Sequence, residues 1–373
     1  MNKIKISAVG DVFVGGLLSE KIEKYKNIFL SKEISAIFKS SDVRFCNLES
    51  ALCRLEEPPE PNKTLLYAKE GSIEYLKRAG FNVISLANNH ITDFGWKSLK
   101  QTMKILGKNK IHYVGAGKNI REARRPLVFN IRGLKIAFLA YSWALPMVEE
   151  GSIAATENSP GISPYNLKFI NEDIKKIRKN IDYIFLSIHW QHEFSHYPPP
   201  QIISEAHQII DAGADVILAH HPHVLQGYEK YKNGLIFYSL SNFLFSPWFA
   251  TNNGRWINYD NNGKLRIWYR DRRKGVILKF NLSKNKNFNY EMIPTLQERE
   301  PVVKIQSIKD AKKTMNSISQ WSLEYQTGDY GKGYEKLLQN ENKFKFLKSV
   351  KNEIDTYGLT STIQKAKKKF LTR

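Results

Sequence analysis

Cysteine is nearly missing from this chain. Cys46 and Cys53 are the only two in 373 residues. Their spacing fits neither a disulfide framework nor a CxxC metal knuckle, so both read as ordinary thiols in a reducing, cytoplasmic compartment. Long apolar runs are absent as well. With no stretch of eighteen apolar residues, no membrane-spanning helix is expected. The amino terminus, MNKIKISAVGDVFVGGLL, has two lysines before an apolar stretch, but Asp11 interrupts that stretch and no small-residue cleavage region follows. Ile4 to Val9 therefore reads as a buried first strand, not a signal peptide. Neither a GxSxG elbow nor a GxxxxGK[ST] loop occurs, which leaves serine-hydrolase and P-loop chemistry without support. Acidic residues are scarce relative to basic ones, 36 against 57, for a net charge of +21. That excess favours polyanionic partners, although a general abundance of Lys, Asn and Ile also accounts for it.

What is present is a regular alternation of short apolar runs and helix-period segments, the mark of an α/β fold. Strands are expected at Val43 to Asn47, Val83 to Leu86, Leu134 to Tyr141, Tyr183 to Ile188, Val216 to Ala219 and Leu235 to Ser239. Helices are expected at Glu33 to Lys39, Ser72 to Ala79 with a Ser cap, Trp96 to Leu106, Asn166 to Asn180 and Gln201 to Ala212. A proline-rich loop spans Glu56 to Asn62. Asp11, Glu49, Asn89, His189 and the histidines from His220 to His223 each follow a strand. In α/β sheets, ligands bind outside the carboxyl ends of the strands, so these five clusters are expected to converge.

The residue types suit metal ions. Two divalent cations about 4 Å apart need a bridging carboxylate and several oxygen and nitrogen donors. Glu49 is the candidate bridge, and Asp11 supplies a second carboxylate. Each alone is equally a turn, a cap or a surface acid. The sequence Asn88-Asn89-His90 with Asp93 is more specific, because two amides and an imidazole after an apolar strand are costly to bury without partners. Asn89 offers a carbonyl oxygen, His90 a proton, and Asp93 a carboxylate that orients the imidazole. The alternative is an Asx turn. His189 is a ligand type for Zn, Mn or Fe. In His220-His221-Pro222-His223, residues two apart on extended backbone project to one side, which pairs His221 with His223. A solvated histidine loop is the other reading. His112 and His207 read as structural.

From about Ile4 to Phe245 the chain resembles the CapA, or poly-γ-glutamate capsule biosynthesis, branch of the calcineurin-like metallophosphoesterases. The stretches that carry the resemblance are AVGDV, CNLES, LKRAGFNVISLANNHITDFG, YVGAG, SIHWQHEF, AGADVILAHHPHVLQG and YSLSNFLF, in family order. It implies a four-layer sandwich of two mixed β-sheets flanked by helices. It also implies metal ligation by Asp11, Glu49, Asn89, His189, His221 and His223, with His90 as proton donor; it assigns nothing to His220. The chain departs from the wider pattern at Phe13, where the superfamily has a histidine, which puts the number of metals in question. Gln191, Ala219 and Ser241 stand where glycine is expected. The amino-terminal membrane anchor of typical capsule members is not expected here.

Residues 1–300 are expected to form this domain and residues 301–373 a basic, mainly helical extension. From Lys304 onwards the chain carries 15 Lys and Arg against 7 Asp and Glu. The end of that tail, Lys365 to Leu371, reads as a solvated helix end or a peripheral contact with an anionic membrane at its inner face. Residues 247–275 are rich in arginine and aromatics, which together grip anions and stack on sugars or bases. Arg255, Trp256 and Arg270, with Trp190, are the expected substrate contacts; a hairpin turning at Asn262-Gly263 is the competing reading. The expectation is a hydrolase that uses two divalent ions (Mn, Fe or Zn) on an anionic small molecule or envelope polymer. The alternative is a polyanion-binding protein without hydrolysis. Nucleic acid is not the expected partner, since nothing in the sequence defines a continuous basic groove.

Overall fold

The computed structural model describes residues 3–25, 29–54, 65–143, 153–245, 271–286, 289–298, 302–327, 330–332 and 334–335. The proline-rich loop at Glu56 to Asn62, the hairpin turn at Asn262-Gly263, and Arg255, Trp256, Arg270 and Lys365 to Leu371 lie outside them. Two compact units are present, Met1–Ser322 and Leu323–Arg373. The first reaches past the boundary expected at residue 300, because Val303–Ile305 adds an edge strand to a sheet of that unit.

That sheet has eight strands, and seven of them run in the order β18 (Val303–Ile305), β17 (Asn289–Gln297), β16 (Lys274–Leu282), β1 (Ile4–Phe13), β2 (Val43–Leu48), β5 (Val83–Ser85) and β6 (His112–Val114). The eighth, β15 (Asn242–Phe245), also pairs with β1. The pairs from β1 to β6 are parallel, and those from β16 to β18 antiparallel. The second sheet has six strands: β13 (Tyr228–Tyr231), β14 (Gly234–Phe237), β12 (Val216–His220), β11 (Tyr183–His189), β9 (Leu134–Ser142) and β8 (Leu127–Ile131). It too is mixed, parallel at its centre and antiparallel at both edges. Two short pairs complete the strands, β3 (Ala51–Leu52) with β4 (Tyr67–Ala68), and β7 (Ala116–Gly117) with β10 (Gly161–Ile162).

Strand alternation sends one set of side chains from each sheet into a shared core. Phe45 of β2 stacks on Phe138 of β9 at 5.8 Å, and Phe185 of β11 meets Phe280 of β16 edge-on at 5.3 Å. The outer face of the first sheet is covered by α1 (Leu17–Tyr25), α2 (Lys32–Lys39), α3 (Ile73–Ala79) and α4 (Gly95–Lys108), through Leu18, Ile34, Phe38, Leu76 and Leu99. A short helix, α5 (Ile120–Ala123), follows. On the second sheet, α6 (Leu167–Arg178) and α7 (Pro200–Ala212) bury Ile170, Ile174, Ile202 and Ile209. Gly234 has no room for a side chain, since a Cβ there would lie 2.6 Å from Ile210 of α7. A last helix, α8, spans Ile308–Tyr325. The expected four layers are therefore observed.

Local signals were met with small differences. Gly80 closes α3 in the left-handed conformation at φ 83°. Ser72 stands at the start of α3, but its hydroxyl bonds that of Ser19 at 2.8 Å instead of capping the helix. Among the described residues, no helix is long and apolar enough to cross a membrane.

Candidate metal centre

The parallel registers bring the polar strand ends together. Asp11 lies beside Asn47 across β1 and β2, and His189 beside His220 across β11 and β12. Asp11 is not past the end of its strand, as the sequence suggested. β1 continues to Phe13, with its register shifting between Asp11 and Val12, where β15 pairs alongside. That close approach explains Gly10, where a Cβ would sit 1.8 Å from the Ser241 carbonyl oxygen.

Asp11 is fully buried and well held. Asn47 donates to its Oδ1 at 2.8 Å, the His221 amide donates to Oδ2 at 3.3 Å, and His220 Nδ1 lies 3.1 Å from Oδ1. Burial alone would raise this carboxyl; the His220 contact, with His223 and Asn47, outweighs it and keeps it below the ordinary value. Glu49 is in the opposite condition. It is 0% exposed, and neither carboxylate oxygen has a hydrogen-bond partner among the described residues. Burial, and then the charge of Asp11, push it well above the usual carboxylate range. Around it stand His189 Nε2 at 3.8 Å and His223 Nε2 at 3.5 Å from Oε1.

Among the described residues, the donor atoms form two overlapping groups. Those of Asp11, Glu49 and His189 lie within 4.8 Å of one another, and so do those of Glu49, His221 and His223. Glu49 belongs to both. Asn89 Oδ1 adds a further oxygen at 2.8 Å from His189 Nε2. Desolvation lowers the pKa of all three imidazoles, well below normal for His189, to about 4 for His221 and to about 3 for His223. They are therefore neutral at physiological pH, the form that binds cations. The amide of Asn242 fixes a tautomer. Its Nδ2 donates to the Arg272 carbonyl at 3.0 Å, so its Oδ1 accepts from His223 Nδ1 at 2.8 Å and leaves Nε2 with a lone pair. A buried carboxylate without a donor, faced by neutral imidazoles, fits a cation and is costly otherwise.

His90 and Asp93 stand at the edge of this cluster. His90 Nδ1 is 2.9 Å from Asp93 Oδ2, which also accepts from the Leu66 amide at 2.6 Å. Burial raises the Asp93 carboxyl, and the His90 contact moderates the effect. Asn88 does not reach outward. Its Oδ1 accepts from the Ile91 amide at 2.9 Å and its Nδ2 donates to the Leu48 carbonyl at 2.8 Å, so it ties the loop to β2.

Some expectations are corrected. Trp190 is 0% exposed and lies edge-on to Tyr165 at 5.6 Å, so it is packing and has no face for a substrate. His221 and His223 do converge, but not on extended backbone: their φ angles are 96° and 56°. Gln191 and Ser241, where the resemblance implied glycine, have φ 80° and 60°, a conformation that favours glycine; Ala219 lies inside β12. Phe13 packs against Phe245 at 5.2 Å, and Phe245 against His223 at 5.0 Å, so the ring in the place of a histidine forms an apolar wall. His220 belonged to the histidine cluster expected to converge but was given no role of its own, and Asn47, Asn242 and Glu193 were not singled out from the sequence. Glu193 Oε1 lies 3.9 Å from His223 Nε2, and Arg272, from the arginine-rich segment, stacks over Phe194 at 4.4 Å. Asn47, next to Glu49 in CNLES, was legible as a strand-end amide.

Fold and site together define an α/β protein of two mixed sheets with a buried carboxylate, amide and imidazole cluster at its strand ends. The chain belongs to the family described as bacterial capsule synthesis protein PGA_cap, which it matches over residues 5–247. It is 35% identical over 266 residues to "Capsule biosynthesis protein CapA" of Bacillus anthracis, covering 69% of this chain and 64% of that protein. It is 30% identical over 259 residues to "PGA biosynthesis protein CapA" of Bacillus subtilis (strain 168), covering 69% and 67%. A relative from Mycobacterium tuberculosis (strain CDC 1551 / Oshkosh), 26% identical over 53% of this chain and 54% of its own, is named "Probable polyglutamine synthesis accessory protein MT0602". The chain thus spans just under two thirds of the first of these relatives. Among solved structures it is similar to a 5'-nucleotidase precursor from Thermus thermophilus, with a TM-score of 0.42 and 11% identity over 85% of this chain and 58% of that one.

Proposed function

We propose that this chain is a metal-dependent hydrolase of the phosphoesterase type that acts on an anionic envelope polymer or its precursors. The observation that carries the reading is Glu49, a buried carboxylate that has no hydrogen-bond partner among the described residues and is shared by two groups of potential ligands. Asp11, Glu49, Asn89, His189, His221 and His223 would hold two divalent ions, of Mn, Fe or Zn. Ions bound there would supply Lewis acidity and lower the pKa of an attacking water. Asp93 engages Nδ1 of His90, so that in the imidazolium form the second proton sits on Nε2, from which it would pass to the leaving oxygen and leave the neutral imidazole. Asn47 Nδ2 lies 2.8 Å from Asp11 Oδ1 and 3.3 Å from His189 Nδ1, and so packs between the two side chains. Arg255, Trp256 and Arg270 are proposed to contact the substrate. The polymer context comes from the relatives named for capsule and PGA biosynthesis.

The relative named as an accessory protein favours a second reading, in which the chain binds polymer without cleaving it. One experiment separates the two. Purified protein is assayed with Mn²⁺ on an aryl phosphomonoester, an aryl phosphodiester and a γ-glutamyl amide, beside His221→Ala. Turnover of one substrate that is lost in the variant supports the hydrolase. Polymer binding with no turnover of any of them supports the accessory reading.

A further inference from the structure

The helix α4 follows directly on the loop that carries Asn89, His90 and Asp93, and its charge is segregated. In the sequence GWKSLKQTMKILGK there are four lysines and no acid. Its exposed positions are Lys97, Lys100, Lys104, Gly107 and Lys108, so the solvent face is cationic along its whole length. The spacing of three, four and four residues places the lysines on one stripe, about 16 Å long at 1.5 Å per residue. The opposite face is fixed to the core by Leu99, Thr102 and Leu106, and Thr102 Oγ1 accepts from the Leu52 amide at 2.9 Å.

General basicity does not account for this. The other described helices mix signs or lean the other way. α6 has Glu172 and Asp173 among its lysines, α8 has Asp310 beside Lys309, and α7 has Glu205 and Asp211 with no Lys or Arg. An acid does touch the flank of α4, since Glu70 accepts from Gln101. Like charges three and four residues apart disfavour a helix, and a bound polyanion would relieve that repulsion.

We infer that the exposed face of α4 is a track for a flexible polyanionic chain, such as a polycarboxylate, leading to or from the proposed metal centre. A polymer fits better than a membrane. Surface-seeking helices interleave bulky apolar residues with their cations, and none is exposed on this face. The inference extends the proposed function to a binding surface and does not depend on turnover.

The test is the affinity of the full chain for fluorescently labelled polyglutamate, measured by anisotropy over a series of salt concentrations. Wild type is compared with the fourfold variant Lys97→Gln, Lys100→Gln, Lys104→Gln, Lys108→Gln. A control carries the same charge loss on α6 and its end: Lys168→Gln, Lys175→Gln, Lys176→Gln, Lys179→Gln. The α4 variant is expected to bind roughly tenfold or more weakly at low salt and with a shallower salt dependence, while the control stays within about twofold of wild type. Equal losses in the two variants, or none in the α4 variant, would overturn the inference. So would an α4 variant that keeps its polymer affinity but no longer binds phosphatidylglycerol vesicles, which would make the stripe a membrane contact. All these readouts are of binding, so they stand whether or not the protein hydrolyses anything.

Discussion

Asn89 Oδ1 lies 2.8 Å from Nε2 of His189, although the two residues are a hundred positions apart, Asn89 in the loop after β5 of the first sheet and His189 at the end of β11 of the second. That contact ties the first sheet to the second at the point where the proposed ligands meet. It makes Asn89 and His189 sensitive to each other. Asn89→Ala is expected to lower metal affinity about 10- to 100-fold with little change in thermal stability without metal. Titration with Mn²⁺ on chelator-treated protein checks this, and unchanged affinity would remove Asn89 from the site.

His90 and Asp93 are expected to act on rate. His90→Asn should lower kcat about 10²- to 10⁴-fold while bound metal stays constant. Asp93→Asn should cost less, because the imidazole remains but loses its orienting partner. Steady-state kinetics with metal analysis of each variant decides it. A His90 variant that loses metal in proportion to activity would recast His90 as a ligand.

The tight approach of β1 to Ser241 gives a steric prediction. Gly10→Ala places a methyl group against the Ser241 carbonyl, which accepts from the Asp11 amide at 2.9 Å. Forcing that contact apart is expected to cost about 1–3 kcal/mol of stability and to displace Asp11. Urea unfolding measures the first, and metal content the second. A fully stable Gly10→Ala protein would mean that the two backbones are less close than described.

One ion pair far from the site has a defined pH signature. Burial alone would raise the Asp42 carboxyl, but Arg132, at 2.7 and 2.9 Å, and the Lys5 amide, at 2.9 Å, outweigh it and hold the carboxyl below its ordinary value. A carboxyl lowered in the folded state contributes stability above its unfolded pKa of about 3.9, and that contribution is lost as pH falls through the folded value. Asp42→Asn should therefore melt below wild type at neutral pH, and the gap should close in acid. Melting temperatures across that range check the sign; a gap that widens in acid would contradict it.

Much of the fold was legible because its signals are local. The apolar runs at Leu134 and Tyr183 and the glycine after Ala79 mark elements that no distant residue has to specify. The convergence of Glu49, Asn89, His189, His221 and His223 followed from their places at strand ends, whereas Asp11 joins them from within β1, where the register shifts. The misreadings came where backbone geometry departs from the ideal. An extended loop was assumed for His221 and His223, whereas both have positive φ and reach Glu49 by a tighter path. Trp190 was expected to contact the substrate, but it follows His189 into packing against Tyr165. The roles of His220, Asn47 and Asn242 depend on which strands are neighbours, and a single sequence does not encode that pairing locally.

Glu49 is proposed to be shared between two cations. The most direct test is metal content by elemental analysis of protein purified without chelator, in wild type and in Glu49→Gln. The expected result is close to two equivalents of Mn, Fe or Zn in wild type and a loss of most of both in the variant, with the folded structure retained by circular dichroism. Folded wild-type protein that holds no metal, or a variant that keeps its full complement, would contradict the account.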